Sequence, residues 1–188
     1  MGNTPGALAR ALAGLRPNKG LPPVEDWQPS THGDSEMRID RNGDWYYQGS
    51  TIERSALVRL FSTILRCDEG IHYLVTPAEK LSIEVEDAPF VAIDLEPQSM
   101  HADPLRFVTN LGDVVPLDSQ HPLEVVIDAK GEGIPYILVR GALRARIHRN
   151  LFYHLVEHHC IEKVLGNQRH LGVVSSGAFF SLGKLQEH

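Results

Sequence analysis

The sequence has few cysteines, and the two that it has, Cys67 and Cys160, lie far apart in the chain. This excludes a disulfide framework, because such frameworks need several cysteines at close spacing. A run of about 18 apolar residues is also lacking, so no membrane-spanning helix is expected. The N-terminus has neither the cationic nor the apolar segment of a signal peptide, which predicts a cytoplasmic protein.

The sequence also lacks a surplus of positive charge. Lys and Arg number 18 against 24 Asp and Glu, which gives a formal net charge of −6. Broad binding to nucleic acid needs basic residues in excess, so bulk nucleic acid is excluded as a partner. The chain does have 42% hydrophobic and 22% charged residues, which is the composition of a folded soluble protein.

Changes in composition divide the 188 residues into segments. Ala7 to Leu15 has good helix formers and is followed by several prolines and glycines, so we expect a loosely attached arm that Trp27 anchors. The polar, proline-bounded stretch from Glu96 to Pro104 predicts a domain junction. The predicted segments are the arm (1–23), an N-terminal α+β domain (24–98) and a C-terminal α+β domain (99–188).

Turn signals and periodicity organise the N-terminal domain. Asn42-Gly43 lies between two strand-like runs and predicts a hairpin. Asp40, Asn42 and Asp44 also resemble the start of a calcium loop, but the glycine comes too early and no glutamate follows at position 12, which favours the hairpin. Ser50 and Glu53 fit a capping box, so a helix is expected from there to between Arg66 and Gly70, with strands over 71–96.

The C-terminal domain begins with short strand-like runs, ending at Tyr136 to Arg140. A helix is expected to begin after Gly141 and to run to about Val164. Ser175-Ser176-Gly177 predicts the turn of a final hairpin.

The two halves resemble each other. In each, a strand ends at a glycine (Gly49 or Gly141), a helix follows, and a cysteine (Cys67 or Cys160) lies near its end. We therefore predict an α+β fold of two similar small domains that arose by duplication. Each would have a mostly antiparallel sheet with one main helix. A ligand would then be expected between the repeated halves.

Several blocks resemble a bacterial domain-of-unknown-function family, DUF1285. They come in the family's order between about Pro23 and Leu182. The blocks are Arg38 to Gly49, Leu74 to Lys80, Val85 to Phe90, Thr109-Asn110, Pro135-Tyr136 and Val139 to Leu143. The resemblance implies two α+β domains, the second similar to pleckstrin-homology-like domains. It also implies a pocket for a nucleotide-like ligand at the domain interface, a signalling role, and no known enzyme activity.

Four arginines within ten residues stand out in an acidic chain: Arg140, Arg144, Arg146 and Arg149. Arg140 and Gly141 are predicted at a strand-to-helix junction, where free amides and guanidinium groups would bind an anion. Arg54 follows Gly49 in the corresponding place. The alternative is that these arginines pair with surface carboxylates or lie in water.

The motif His154-Leu155-Val156-Glu157-His158 matches the H-x-x-E-H pattern of certain zinc peptidases. It lacks a convincing third ligand, which favours helical surface histidines. A metal-dependent hydrolase using His154 and His158 is nevertheless one alternative function. A protein-interaction module is another.

The function that we predict is that of a non-enzymatic cytoplasmic sensor without a cofactor. It would bind an anionic, nucleotide-like small molecule between the domains and take part in signal transduction. The oligomeric state is left open. The residues predicted to form the site are Arg54, Arg140, Gly49, Gly141, Thr76, Asn110 and Trp27.

Overall fold

A computed structural model describes residues 6, 20–97 and 104–185 of the chain. The chain divides into two compact units, Met1–Pro89 with Gly141–Leu143, and Phe90–Arg140 with Arg144–His188. The predicted domain boundary at residues 98 and 99 lies outside the described residues, and the division between the units comes earlier, at Pro89 and Phe90. The predicted helix in the arm also lies outside the described residues.

The first unit contains a six-stranded sheet and one α-helix among its described residues. A short 3-10 helix, Val24–Asp26, precedes the sheet. The elements are β1 (Thr31–Ile39), β2 (Trp45–Tyr47), β3 (Ser50–Thr51), α1 (Ser55–Ser62), β4 (Leu65–Asp68), β5 (Ile71–Val75) and β6 (Glu79–Val85). The strand order is β3-β2-β1-β6-β5-β4.

The second unit contains a six-stranded sheet, one α-helix and a separate three-stranded sheet among its described residues. Its first six strands are β7 (Phe90–Leu95), β8 (Arg106–Thr109), β9 (Val114–Pro116), β10 (Leu123–Ile127), β11 (Gly133–Arg140) and β12 (Leu143–Ile147). The remaining elements are α2 (Arg149–His158), β13 (Cys160–Leu165), β14 (Gln168–Ser175) and β15 (Ala178–Lys184).

The two six-stranded sheets repeat one strand order. The second sheet runs β10-β11-β12-β7-β8-β9, so in each unit the first strand lies next to the sixth. These central pairs, β1 with β6 and β7 with β12, are parallel. The hairpin pairings, such as β1 with β2 and β8 with β9, are antiparallel. The prediction of two similar, mostly antiparallel domains is therefore confirmed at the level of topology.

The helices do not repeat. α1 comes between the third and fourth strands of its unit, whereas α2 follows the sixth strand of the other. The similarity that the sequence suggests, with Gly49 opposite Gly141, therefore aligns non-equivalent turns. Gly49 follows the second strand of the first sheet, and Gly141 follows β11, the fifth strand in chain order of the second sheet.

The predicted hairpin at Asn42-Gly43 is confirmed. Ile39 pairs with Trp45 across it, and Gly43 has a φ of 85°, a left-handed value that favours glycine. Trp45 is 1% exposed and its ring centroid lies 6.4 Å from that of Phe61 on α1. The hairpin thus delivers an aromatic side chain to the core of the first unit.

The predicted start of the first helix at Ser50 is wrong. Gln48 and Gly49 both have positive φ, 48° and 79°, so they form a tight turn that returns the chain along β2. Ser50 pairs with Tyr47 as part of β3 and cannot cap a helix. The helix begins at Ser55, after an N-cap residue, Arg54, whose side chain makes no capping hydrogen bond, and it ends at Ser62.

The predicted helix from Gly141 to Val164 is wrong at both ends. Gly141 has a φ of 50° and lies in the turn between the neighbouring strands β11 and β12. Leu143, Ala145 and Ile147 are buried, with exposures of 2%, 0% and 3%, and they alternate with half-buried arginines. That period of two is a strand pattern, and the helix begins only at Arg149.

Candidate functional site

Arg140, at the end of β11, is the predicted site residue with the most distinctive surroundings. Its guanidinium carbon lies 4.9 Å from the centre of the Phe90 ring, within the range of a cation–π contact. Its Nη1 atom lies 3.8 Å from Oδ1 of Asp113. Burial lowers the pKa of Arg140, while the charge of Asp113 acts in the opposite direction. A guanidinium in this position is partly deprived of water and lies beside the Asp113 carboxylate.

Asn110 lies in the turn between β8 and β9, which also contains Asp113. Its Oδ1 atom accepts a hydrogen bond of 3.0 Å from the backbone amide of Val91. The backbone amide of Asn110 donates to the Val91 carbonyl over 2.8 Å. Val91 follows Phe90, on which Arg140 stacks. The structure therefore brings Arg140 and Asn110 to the same end of β7.

The turn that holds Asp113 is itself well ordered by hydrogen bonds. Oγ1 of the buried Thr109 accepts from the amides of Leu111 and Asp113 at 3.3 and 3.0 Å. These hydrogen bonds hold the backbone of the turn at Asp113, whose carboxylate lies beside Arg140. Phe90 and Asp113 are not among the site residues predicted from the sequence. No sequence signal marks them, because β7 and the turn approach Arg140 only through sheet pairing.

The other predicted site residues belong to the first unit, and three of them have structural roles or surface positions. Oγ1 of Thr76 accepts from the amides of Ala78 and Glu79, so this buried side chain closes the turn before β6. Arg54 is exposed at the start of α1. The carbonyl of Trp27 accepts a hydrogen bond from Arg66. The side chain of Trp27 is half-buried.

Gly49 and Gly141 were predicted at helix N-termini. The structure places both in turns between strands instead. The free amides of a helix end are therefore not beside Arg140, and that part of the predicted anion site is wrong. Gly141 is assigned to the first unit together with Gly49. That all seven residues line one pocket stays a prediction.

The first unit has a cavity of about 430 Å³ beside the bulge where β1 and β6 change register. Its lining residues are Asp34, Glu36, Met37, Arg38, Gly49, Ser82, Ile83 and Glu84. Three of these are carboxylates, and Arg38 forms an ion pair with Glu86. The lining is thus acidic and does not suit an anion. Among the predicted site residues it includes Gly49 alone.

The arginines after Arg140 are distributed along β12 and α2. Arg144 stacks on Tyr136 at 4.0 Å and pairs with Glu124 at 3.4 Å. Nε of Arg149 donates to the Tyr153 hydroxyl over 2.9 Å, and that hydrogen bond raises the pKa of Arg149. Alternation along β12 places Arg144 and Arg146 on one face of that strand, whereas Arg149 lies on α2.

The histidines of the H-x-x-E-H motif lie close together on α2. The ring centroids of His154 and His158 are 4.6 Å apart, and His159 lies 5.6 Å from His154. Within residues 20–97 and 104–185, no group of three His, Cys, Asp or Glu side chains is placed to hold a metal ion. The hydrolase hypothesis therefore has two candidate metal ligands, His154 and His158, and no third ligand beside them among these described residues. Nor does any helix in this part of the chain have the length and apolarity needed to cross a membrane.

Comparison with family models shows to which protein family the chain belongs. Residues 22–88 match the N-terminal domain of a family described as a domain of unknown function, DUF1285, and residues 89–182 match its C-terminal domain. The chain belongs to the DUF1285 family. The two DUF1285 models meet at residues 88 and 89, beside the division between the two structural units.

Solved structures of DUF1285 proteins are similar to this chain. A crystal structure of a DUF1285 family protein from Silicibacter pomeroyi DSS-3 is 43% identical, with a TM-score of 0.78, and the match covers 93% of this chain and 95% of that one. A DUF1285 family protein from Shewanella baltica OS155 is 27% identical, with a TM-score of 0.53 over 65% of this chain and 91% of that one. A comparison with curated proteins gives no match.

Proposed function

We propose that the protein is a non-enzymatic binding protein for an anionic, nucleotide-like small molecule, and that Arg140 holds the negative charge of the ligand. The observation that supports this proposal is the half-buried guanidinium of Arg140, stacked on Phe90 at 4.9 Å. Burial of a charged group costs free energy, and a ligand anion would offset that cost.

The carboxylate beside Arg140 is consistent with this role. A charge-assisted hydrogen bond from arginine to a carboxylate is typically about 2.7–2.9 Å long. Nη1 of Arg140 and Oδ1 of Asp113 are 3.8 Å apart, a distance longer than such a hydrogen bond. A phosphate or carboxylate of a ligand would supply two oxygen acceptors in the geometry that guanidinium prefers.

Three further expectations belong to the same proposal. They are a cytoplasmic location, a signalling role in which ligand binding shifts a conformational equilibrium, and a pleckstrin-homology-like character of the second half. The last is supported by the succession of β-strands that an α-helix, α2, follows in the second unit.

The test is a thermal-shift and calorimetric titration of the full chain with adenine and guanine nucleotides, inorganic phosphate and dicarboxylates. We expect at least one of these anions to raise Tm of the wild-type protein. Arg140→Gln should abolish that shift, and Arg140→Lys should weaken binding, because lysine keeps the charge but loses the planar fork.

Arg144→Gln is the matched control, because Arg144 also stacks on an aromatic ring and faces a carboxylate in the same unit. It should keep the wild-type response. If no anion in the panel raises Tm of the wild-type protein, or if Arg140→Gln and Arg140→Lys respond as the wild type does, the proposal is wrong.

A further inference from the structure

In the three-stranded sheet β13-β14-β15, strands β14 and β15 have one buried face and one that faces outwards, whereas β13 is exposed along most of its length. Val173 and Phe180, which pair with each other, are 0% and 9% exposed. Their neighbours Val174 and Phe179, one position along each strand, point to the opposite side. We call that side the outer face. It includes Ile161, Lys163, His170, Val174, Phe179 and Lys184.

Two contacts show that these side chains share one face. Nζ of Lys163 lies 5.4 Å from the centre of the Phe179 ring, although the two residues are on the two outside strands. His170 Nδ1 lies 2.8 Å from the Ser181 hydroxyl, across β14 and β15. The register of the pairing and the contacts therefore agree.

The outer face is flat and partly apolar. Gly172 lies between the outside strands, and a Cβ atom there would be only 2.6 Å from Cζ of Phe179. The Phe179 ring therefore lies along the sheet over Gly172 rather than projecting from it. Ile161 and Val174 are each 48% exposed and extend the apolar area on this face.

The charge of the outer face is opposite to that of the whole chain. Among residues 160–165, 168–175 and 178–184, the one carboxylate is Glu162, which alternates to the other face and pairs with Arg169. The outer face has Lys163 and Lys184 instead. The chain as a whole has a net charge of −6, so its composition does not account for a positive, partly apolar surface. The positive charge of the outer face is therefore a local feature.

We infer that the outer face binds an acidic segment of a partner protein. Apolar side chains of the segment lie against Ile161, Val174 and Phe179, and its carboxylates lie beside Lys163 and Lys184. Charge complementarity is the argument for this occupant, because it supplies both attraction and register. The same face of a second copy would bring lysines against lysines, which disfavours self-association through it.

An anionic membrane is the other surface that attracts lysine, and the geometry disfavours it. Membrane recruitment through charge takes clusters of about four to eight basic residues. The outer face has two lysines on its strands. Its aromatic ring lies flat and so is not placed to insert between lipids.

The test begins with displayed short random peptides selected on the immobilised full chain. We expect enriched peptides that combine Asp or Glu with apolar residues. The enriched peptide is then synthesised with a fluorophore, and Kd is measured by anisotropy. Lys163→Glu should weaken binding roughly tenfold or more, because it places like charges against each other. Ile161→Ser, which keeps the charge, should weaken it severalfold.

Lys130→Glu is the matched control, since Lys130 is exposed in the turn between β10 and β11 of the same unit. It should keep Kd within about twofold. Thermal unfolding of each variant shows that it is folded. The inference is overturned if the enriched peptides lack acidic residues or bind both outer-face variants as tightly as the wild type. It is also overturned if the face binds phosphatidylserine vesicles and no peptide, or if light scattering shows a dimer that Lys163→Glu dissociates.

Discussion

The Nη1 atom of Arg66 donates a hydrogen bond of 2.9 Å to the carbonyl oxygen of Trp27, 39 positions earlier in the chain. The same atom donates to the carbonyl of Val24 over 2.8 Å. Asp68 accepts from the other guanidinium nitrogens, Nε and Nη2. Trp27 was predicted to anchor the N-terminal segment by its ring, whereas its backbone is held by a buried arginine that is 5% exposed.

Arg66→Ala should therefore destabilise the protein strongly. The substitution leaves two backbone carbonyls and the Asp68 carboxylate without their buried donor, and we expect a loss of about 3 kcal/mol in the free energy of unfolding. Urea denaturation measures this value. Arg169→Ala, which removes an exposed pair with Glu162, is the control and should cost less than about 1 kcal/mol. Equal denaturation midpoints for the two variants would contradict the assignment.

Asp68 should make the stability depend on pH in the acid range. Burial by itself would raise its pKa, but hydrogen bonds and charge from Lys80 and Arg66 outweigh burial, and the pKa lies below its ordinary value. Because the folded pKa is lowered, the stabilisation is fully present above the unfolded value of about 3.9 and is lost as pH falls through the folded pKa. Denaturant titrations from pH 6 down to acid should show this loss, and Asp68→Asn should make it smaller. A slope that is the same in both proteins would refute the prediction.

Gly172→Ala should destabilise the three-stranded sheet. A Cβ atom at this position would lie 2.3 Å from the carbonyl oxygen of Phe180, which belongs to the backbone and cannot rotate away. Overpacking of this kind costs about 1–3 kcal/mol. Gly183→Ala is a suitable control, since nothing lies within 4 Å of its Cβ position. Calorimetric Tm values should fall for the first variant and stay near wild type for the second. The reverse order would show that β15 does not approach β14 as described.

Ser175→Ala should cost more than its position in a predicted turn suggests. The Ser175 hydroxyl accepts from the amide of Leu105 at 3.0 Å and donates to the carbonyl of Leu117 at 2.6 Å, and the residue is 1% exposed. Removing the hydroxyl leaves both backbone groups buried without this partner, so we expect a loss of about 2–4 kcal/mol.

The control is the neighbouring serine. The hydroxyl of Ser176 is 3.3 Å from the same Leu117 carbonyl but the residue is exposed, so Ser176→Ala should change the free energy of unfolding by less than about 0.5 kcal/mol. Hydrogen exchange at the Leu105 amide provides a local readout. Its protection should fall in Ser175→Ala and persist in Ser176→Ala, and unchanged protection in both would contradict the role of Ser175.

Local turn chemistry and alternation predicted many of the strands and two of the hairpins. Asn42-Gly43 and Ser175-Ser176-Gly177 both form turns in which the glycine has a positive φ, as expected. The predicted helix entries at Gly49 and Gly141 are wrong, because both glycines lie in turns between strands. A glycine after a strand is compatible with either a tight turn or a helix entry, and only pairing with the returning strand distinguishes the two.

The candidate site was predicted less well than the strands. Arg140 and Asn110 were both named, and the structure places them at the same end of β7, but the expected helix amides are absent from that place. The strand pattern of residues 143–147 was present in the sequence, since apolar residues and arginines alternate there.

Sequence was enough to identify the family, to exclude a disulfide framework, and to locate the turns that need left-handed backbone and the alternation that makes strands. These properties depend on residues near one another in the chain. Tertiary structure alone decided the parallel pairs β1 with β6 and β7 with β12, because each joins segments separated by long stretches of chain. It also decided that Phe90 and Asp113 surround Arg140, since sheet pairing, not sequence distance, brings those side chains together.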